Sequence, residues 1–197
     1  MEKEEFRRLR KKYEPIVTDM IRSNSCFYRS KKTIKWRFDC DDNEAIIATY
    51  DRKNDLVSVN MKSFIRAYSE NDLKTIEYFL LHEIRHLFQN ELIVDYRNGK
   101  EGPINKEIIE KWIYESEHYI KVSDSEGNEN PNYFLQDLEM DAYAFSYAVM
   151  KYKYGDLNLY VPPKYGDEFN DIVNDWIATF KEEGLPTDNS KEKVEEI

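Results

Sequence analysis

The chain of 197 residues is poor in the residue types that mark several protein classes. Its two cysteines, Cys26 and Cys40, are too few for a disulfide framework and form no CxxC pair. Six glycines and six prolines exclude collagen-like and low-complexity chains. No run approaches the roughly 18 apolar residues of a membrane span, and the opening MEKEEFRRLRKK lacks the apolar stretch of a signal peptide. We therefore expect a cytoplasmic protein that keeps reduced thiols and does not enter a membrane.

The net charge of −10 is distributed unevenly along the chain. Residues 1–37 hold 12 Lys and Arg against 5 Asp and Glu, a local charge of +7, so the remainder carries −17. An acidic body is repelled by phosphates, which argues against a nucleic-acid-binding domain. The basic segment could contact DNA or an acidic partner, although a solvated helix face explains it better. Nucleic acid is therefore an unlikely partner except through residues 1–37.

Apolar spacing in the first third of the chain predicts one helix and a small antiparallel sheet. Residues 3–24 show helical spacing, and Pro15 is expected to divide or kink that helix. Three β-rich segments follow at 34–38, 44–50 and 56–61, and the polar residues between the last two suit a hairpin turn. The last of these strands is a candidate exposed edge that could hold a peptide by strand addition.

Four helices are predicted in the rest of the chain. A long helix over about 72–94 can be capped by Ser69 or Asn71, and Pro103 suits the first turn of a helix through about residue 120. Two more amphipathic segments predict helices over 134–152 and 168–183. Residues 123–132 are expected to form a polar loop, and the tail from Gly184 onward is expected to be disordered.

Residues 80–89 read LLHEIRHLFQ, in which His82 and His86 lie four positions apart and Glu83 follows the first. On a helix, side chains at this spacing differ by about 40° and point the same way, so both imidazoles can reach one zinc ion. Glu83 lies about 100° around the helix, where it can take a proton from a zinc-bound water without binding the metal. The pattern predicts zinc-dependent amide hydrolysis. The competing interpretation is a buried helix whose two histidines are satisfied by carboxylates.

A catalytic zinc site needs a third protein ligand and an open coordination position. The remaining histidine, His118, lies in a segment without an acidic or glycine-turn pattern. A carboxylate from the segment DLEMDAYAF is therefore the stronger candidate. Asp137, Glu139 and Asp141 all compete for this role, and helix geometry alone leaves the three open.

The segment HEIRH, followed further along the chain by Glu139, Ala142 and Phe145, resembles a known pattern. It is similar to the HExxH…ExxAxxF pattern of gluzincin metallopeptidases, in the style of the ImmA/IrrE-type enzymes common in phages and mobile elements. The resemblance covers about residues 45–150. It implies that Glu139 is the third zinc ligand, and the small Ala142 implies close approach of its helix to the HExxH helix.

The resemblance also implies a fold and an activity. It implies a zincin-like α+β domain in which a small antiparallel sheet packs on the HExxH helix and a second helix carries the third ligand. Beyond the residues that the resemblance covers, we expect residues 1–183 to form this single domain, with an N-terminal helical segment over about 1–30 and a disordered tail over 184–197. The implied activity is zinc-dependent hydrolysis of a peptide or protein substrate, with Glu83 as the general base.

Three further side chains have candidate roles beside the metal. Asp141 is expected to accept a hydrogen bond from the outer N–H of a ligand histidine, or to be an alternative ligand. Asp137 is a second alternative ligand, with helix capping as its structural role. Tyr133 could donate its hydroxyl to a developing oxyanion, although a packing role is the commoner one for a tyrosine.

A second class of function fits the same residues. The fold could serve as a catalytically inactive binding or regulatory module of a phage or mobile element, with its metal structural or absent. Metal content and the activity of Glu83 variants distinguish this module from an enzyme.

Overall fold

The computed structural model describes residues 1–28, 30, 32–122, 130 and 132–187. The described residues form six α-helices and one three-stranded sheet, so the mixed α+β class is confirmed. The elements are α1 (Lys3–Ser23), β1 (Lys35–Asp39), β2 (Ala48–Asp51), β3 (Leu56–Asn60), α2 (Met61–Ser69), α3 (Leu73–Arg97), α4 (Lys106–Glu117), a 3₁₀ turn (Tyr133–Leu135), α5 (Asp137–Tyr154) and α6 (Asp167–Glu182). Most of the polar loop at 123–132 and of the tail predicted from 184 lies outside the described residues.

The chain groups into two compact units, Met1–Leu87 and Phe88–Ile197. The boundary falls inside α3, so this helix gives its first part to one unit and its last part to the other. Within the described part of the chain, no helix has both the length and the apolar character needed to cross a membrane.

The sheet of the first unit is mixed, with the strand order β1-β3-β2. β3 pairs antiparallel with β2, as predicted, but parallel with β1, so the prediction of an antiparallel sheet is wrong for that pair. Alternating hydrophobicity tells which face a side chain occupies and carries no information on strand direction. The predicted edge role of the strand at 56–61 is also wrong, because β3 is the central strand and β1 and β2 form the edges.

Side-chain hydrogen bonds at both ends of β3 hold the segments that connect the three strands. The carboxylate of Asp51 accepts hydrogen bonds from the backbone N–H groups of Lys53 and Asn54 and closes the turn between β2 and β3. At the other end of β3, the amide of Asn60 donates to the carbonyl of Ile46 at 3.0 Å, and the hydroxyl of Ser63 donates to the same carbonyl at 2.9 Å. These bonds hold the segment that connects β1 to β2.

Helix α1 is one continuous helix of 21 residues with Pro15 inside it, so the proline does not divide it. The buried face of α1 carries Tyr13, whose ring centroid lies 5.2 Å from that of Phe64 in α2. Phe64 in turn lies 5.3 Å from Phe38 of β1. Burial of these three aromatic rings joins helix and strand in one apolar core, which stabilises α1 despite the backbone hydrogen bond that proline removes.

Helix α2 and the start of α3 differ from the sequence prediction. The sequence reading extended the strand to residue 61 and missed α2, which Asn60 caps by accepting a hydrogen bond from the backbone N–H of Lys62. The cap of α3 is Asp72, whose carboxylate accepts from the backbone N–H of Thr75, so neither Ser69 nor Asn71 caps it. Asn71 instead adopts a φ of 58° and turns the chain between the two helices.

The core of the second unit lies where the last part of α3 meets α4 and the start of α5. Its buried members are Phe88, Leu92, Ile93, Ile109, Trp112 and Leu138. Along α5, Phe145 packs edge-on against Trp176 of α6, with ring centroids 5.2 Å apart. Helix α4 begins at Lys106 rather than at Pro103, and its N-cap is Asn105, whose side chain accepts from the backbone N–H of Glu107. These contacts fix the position of α5, the helix that carries the three candidate carboxylates.

The first turn of α5 is capped from outside the helix, by Glu115 of α4. The Glu115 carboxylate accepts the backbone N–H of Asp137 at 2.8 Å and that of Leu138 at 2.9 Å. Burial raises the pKa of the Glu115 carboxyl, and the two N–H donors oppose that rise. Asp137 itself does not have its predicted capping role: the residue at the N-cap position is Gln136, and the Asp137 carboxylate accepts from Lys111 at 3.0 Å.

We predict that Glu115→Gln lowers the free energy of unfolding by about 1 kcal/mol, because one of the two capped N–H groups then faces an amide NH₂ instead of an acceptor. Urea denaturation followed by circular dichroism measures this loss. Glu101→Gln is the control, since Glu101 is exposed in the segment before α4. Equal stability of the two variants would contradict the capping role.

Candidate metal centre

The structure brings together three of the side chains selected from the sequence. One ligand atom from each of His82, His86 and Glu139 lies within 4.8 Å of the other two. His82 and Glu139 are buried, and His86 is half-buried. In the described part of the chain, this is the group of histidine, cysteine and acidic side chains arranged to hold a metal ion.

The two histidines take their positions from helix α3. Their Nε2 atoms lie 3.0 Å apart, and the ring planes are nearly perpendicular at 89°. Two nitrogen lone pairs at this separation repel each other unless a proton or a cation lies between them. The helix therefore holds two imidazoles in an arrangement that suits either an N–H···N hydrogen bond between the rings or a cation bound by both.

The spacing of the three donors suits a metal ion. Two imidazole nitrogens and one carboxylate oxygen at about 2.0–2.1 Å from a tetrahedral ion lie about 3.4 Å from one another. The separation of the histidine nitrogens, 3.0 Å, is close to this value. All three ligand atoms lie within 4.8 Å of one another, so small changes in the side-chain torsions would bring them to the distances of a bound ion. A buried His-His-Glu group of this kind could hold a metal ion.

Glu139 has no exposed surface, with 0% of its area open to solvent. Two tyrosine hydroxyls donate to its carboxylate: Tyr119 to Oε1 at 2.5 Å and Tyr133 to Oε2 at 2.6 Å. Burial and the negative charge of Glu139 raise the pKa of the Tyr133 hydroxyl, which keeps it a protonated donor. In this structure the Tyr133 proton is directed to Glu139, and its suggested oxyanion role stays a prediction.

The other two carboxylates of α5 have different surroundings. Asp137 lies at the start of the helix and forms an ion pair with Lys111. Asp141 is half-buried and accepts a hydrogen bond from the Gln89 amide at 2.7 Å. The same amide donates to the backbone carbonyl of Leu138 at 3.0 Å, so Gln89 ties α3 to α5 next to the metal-ligating group. Among these carboxylates, the metal-ligating group includes Glu139 alone.

The remaining candidates lie as follows. Glu83 is half-buried on α3, one position after His82. His118 is exposed at the end of α4, where its ring stacks on Tyr114 with centroids 4.3 Å apart. His118 is not among the residues that could hold the metal ion, which are His82, His86 and Glu139.

The sequence analysis missed the residues that surround Glu139. Tyr119, Gln89 and Gln136 carry no motif, and each meets its partner through contacts between segments that are distant along the chain. Helical periodicity detects neighbours three or four positions apart and gives no information on pairs of residues from distant segments. A helical wheel therefore could identify the histidine pair but could not identify the donors to the carboxylate.

Comparison with protein-family models, with curated proteins and with solved structures finds no match to this chain. The assignment to a type of metal centre therefore rests on the arrangement of His82, His86 and Glu139.

Proposed function

We propose that the protein is a zinc-dependent peptidase of the HExxH type. The observation that carries the proposal is the convergence of His82, His86 and Glu139, with Glu83 on the same helix as both histidines. The zincin-like fold and the gluzincin resemblance belong to this proposal. So does the cytoplasmic location.

Zinc is the proposed metal because two imidazoles and one carboxylate are the protein ligands of many catalytic zinc sites. Such a set leaves one coordination position open, whereas structural zinc sites are closed by four protein ligands. When bound, zinc would lower the pKa of water and polarise the carbonyl of the substrate. In this chain His82, His86 and Glu139 would hold it.

Glu83 is the proposed general base. Its carboxylate takes a proton from the attacking water as the water oxygen bonds to the carbonyl carbon of the peptide. The same proton then passes from Glu83 to the leaving nitrogen as the carbon–nitrogen bond breaks. The products are a carboxylic acid and an amine, and Glu83 returns to its ionised state.

The proposed substrate is a peptide or protein segment in extended form. An extended peptide can add to the free edge of a sheet through backbone hydrogen bonds. Because β3 is central, such a strand would add to β1 or β2. We propose no membrane partner, and any contact with nucleic acid is assigned to the basic segment 1–37.

We predict that the purified protein binds close to one equivalent of zinc and that His82→Ala greatly weakens this binding, because one of three ligands is lost. Elemental analysis after dialysis against a defined free-zinc concentration measures the stoichiometry. His118→Ala is the control, since His118 lies outside the group. Full zinc retention in a His82→Ala, His86→Ala double variant would rule out the site.

We predict that, among the three acidic residues of α5, Glu139→Ala causes the largest loss of zinc affinity. Glu139 is the carboxylate that lies with the histidines, whereas Asp137 pairs with Lys111 and Asp141 with Gln89. Competition with a chromophoric chelator gives the three dissociation constants. If Asp137→Ala or Asp141→Ala emptied the site while Glu139→Ala left it filled, a different acidic residue would be the ligand.

We predict that Glu83→Gln retains zinc and reduces peptide hydrolysis by about 10²–10⁴-fold, the usual value of general acid–base catalysis. Activity on a broad peptide panel, zinc content and melting temperature are measured together. Glu91→Gln, another glutamate of α3, is the control and should keep its activity. Undiminished hydrolysis by Glu83→Gln would refute the mechanism. Zinc-loaded wild type that cleaves no peptide would favour the binding or regulatory module.

A further inference from the structure

We infer that Tyr119 and Tyr133 are positioning residues that hold the Glu139 carboxylate in the orientation of a metal ligand and thereby set the metal affinity of the site. The inference rests on the metal centre of the proposed function and extends it to residues outside the ligand set. It is carried by the two hydrogen bonds to Glu139, one on each carboxylate oxygen.

The burial of Glu139 creates the need for these donors. An ionised carboxylate removed from water loses its hydration, and it stays ionised only where donors or opposite charges replace the lost water. Glu139 has 0% of its surface exposed. The O–H···O distances of 2.5 and 2.6 Å are those of hydrogen bonds to a charged acceptor, which are about twice as strong as neutral ones. The two tyrosines therefore replace part of the hydration that the carboxylate loses, and they hold each of its two oxygens in place.

The two bonds also restrict the orientation of the carboxylate. A carboxylate offers about four lone-pair directions, and each Glu139 oxygen uses one of them for a tyrosine. Rotation of the carboxylate about its terminal bond would break both hydrogen bonds together. The remaining lone pairs therefore keep a fixed direction before any metal arrives, which reduces the entropy lost on metal binding.

A single amide side chain joins the segments that carry the two tyrosines. The buried Gln136 accepts from the backbone N–H of Ile120 at 2.9 Å and donates to the carbonyl of Ile120 at 3.0 Å. It also donates to the carbonyl of Tyr133 at 3.0 Å. The residue after Tyr119 and the backbone of Tyr133 are thus tied to the residue just before α5. The rings of Tyr119 and Tyr133 meet edge to face, with centroids 6.2 Å apart.

The surroundings of Tyr119 distinguish a role in positioning Glu139 from a role in packing the core. Tyr119 is 45% exposed, so its ring contributes little to the core, yet its hydroxyl reaches a carboxylate that solvent does not. A residue selected only for packing has no need of that hydroxyl. Removal of the hydroxyl alone therefore tests the inference.

The experiment compares zinc dissociation constants of wild type, Tyr119→Phe, Tyr133→Phe and the double variant. Each phenylalanine keeps the ring and removes one donor to Glu139. Second-sphere donors of this kind typically change metal affinity by about 10–100-fold, so we expect each single variant to bind zinc more weakly by about that factor and the double variant to bind more weakly than either. Tyr114→Phe is the matched control, because Tyr114 of α4 is 64% exposed and its ring stacks on His118, which lies outside the candidate metal site. Its dissociation constant should equal that of wild type.

Melting temperatures of the metal-free and zinc-loaded proteins supply a second readout. Weaker zinc binding reduces the rise in melting temperature that a given zinc concentration produces. Equal loss of melting temperature with and without zinc, together with unchanged dissociation constants, would show a packing role and overturn the inference. If Tyr133→Phe does not fold, Tyr119→Phe decides alone, because its ring is largely outside the core.

The outcomes distinguish this inference from the proposed function. Wild type that binds zinc and cleaves peptides, with both phenylalanine variants binding zinc equally well, overturns the role of the tyrosines and leaves the peptidase intact. Weaker zinc binding by the variants of a wild type that cleaves nothing supports the tyrosines and overturns the peptidase. A wild type that binds no zinc overturns both.

Discussion

The structure around the candidate site depends on the burial of one carboxylate. Glu139 is closed off from solvent, and an ionised group in that position is tolerated only when its surroundings replace the lost water. Two tyrosine hydroxyls do part of this, and both histidine rings lie within reach. The rest of the local structure keeps these groups in place: Glu115 fixes where α5 begins, and Gln136 fixes the segments that bring the tyrosines.

Helix α3 supplies the other two side chains of the candidate site, His82 and His86. The spacing of His82 and His86 is a property of any α-helix, so the pair needs only a continuous helix to point in one direction. Their Nε2 atoms lie 3.0 Å apart, so one ring can donate an N–H to the other, or both can direct a lone pair at one cation when each ring carries its hydrogen on Nδ1. The carboxylate of Glu139 requires more, because it must be brought from a distant part of the sequence and needs a donor for each of its oxygens.

The sequence could predict features that depend on neighbouring residues, but not those that depend on contacts between distant segments. The histidine pair, the long helix that carries it and the two later helices were predictable, since each depends on neighbours within a few positions. Strand direction was not predictable, because the pairing of β1 with β3 is decided by how the connecting segment crosses the sheet. The tyrosine donors were not predictable either, since Tyr119 and Glu139 meet only in the folded chain. Asp72 rather than Asn71 caps α3 because the backbone turns at Asn71 with a positive φ.

The partners of the three α5 carboxylates explain why one of them suits a metal. Asp137 has its charge balanced by the ammonium group of Lys111 at the surface, where water also screens it. Asp141 accepts from a neutral amide but stays half-buried, so solvent still contributes to its stability. Glu139 is fully buried, and the two neutral tyrosine hydroxyls each use one lone pair of a different carboxylate oxygen. A hydrogen-bonded anion away from water attracts a cation more strongly than one in water, because the interior screens charge less. The same burial that makes Glu139 costly in the metal-free protein therefore favours it, among the three, as the candidate metal ligand.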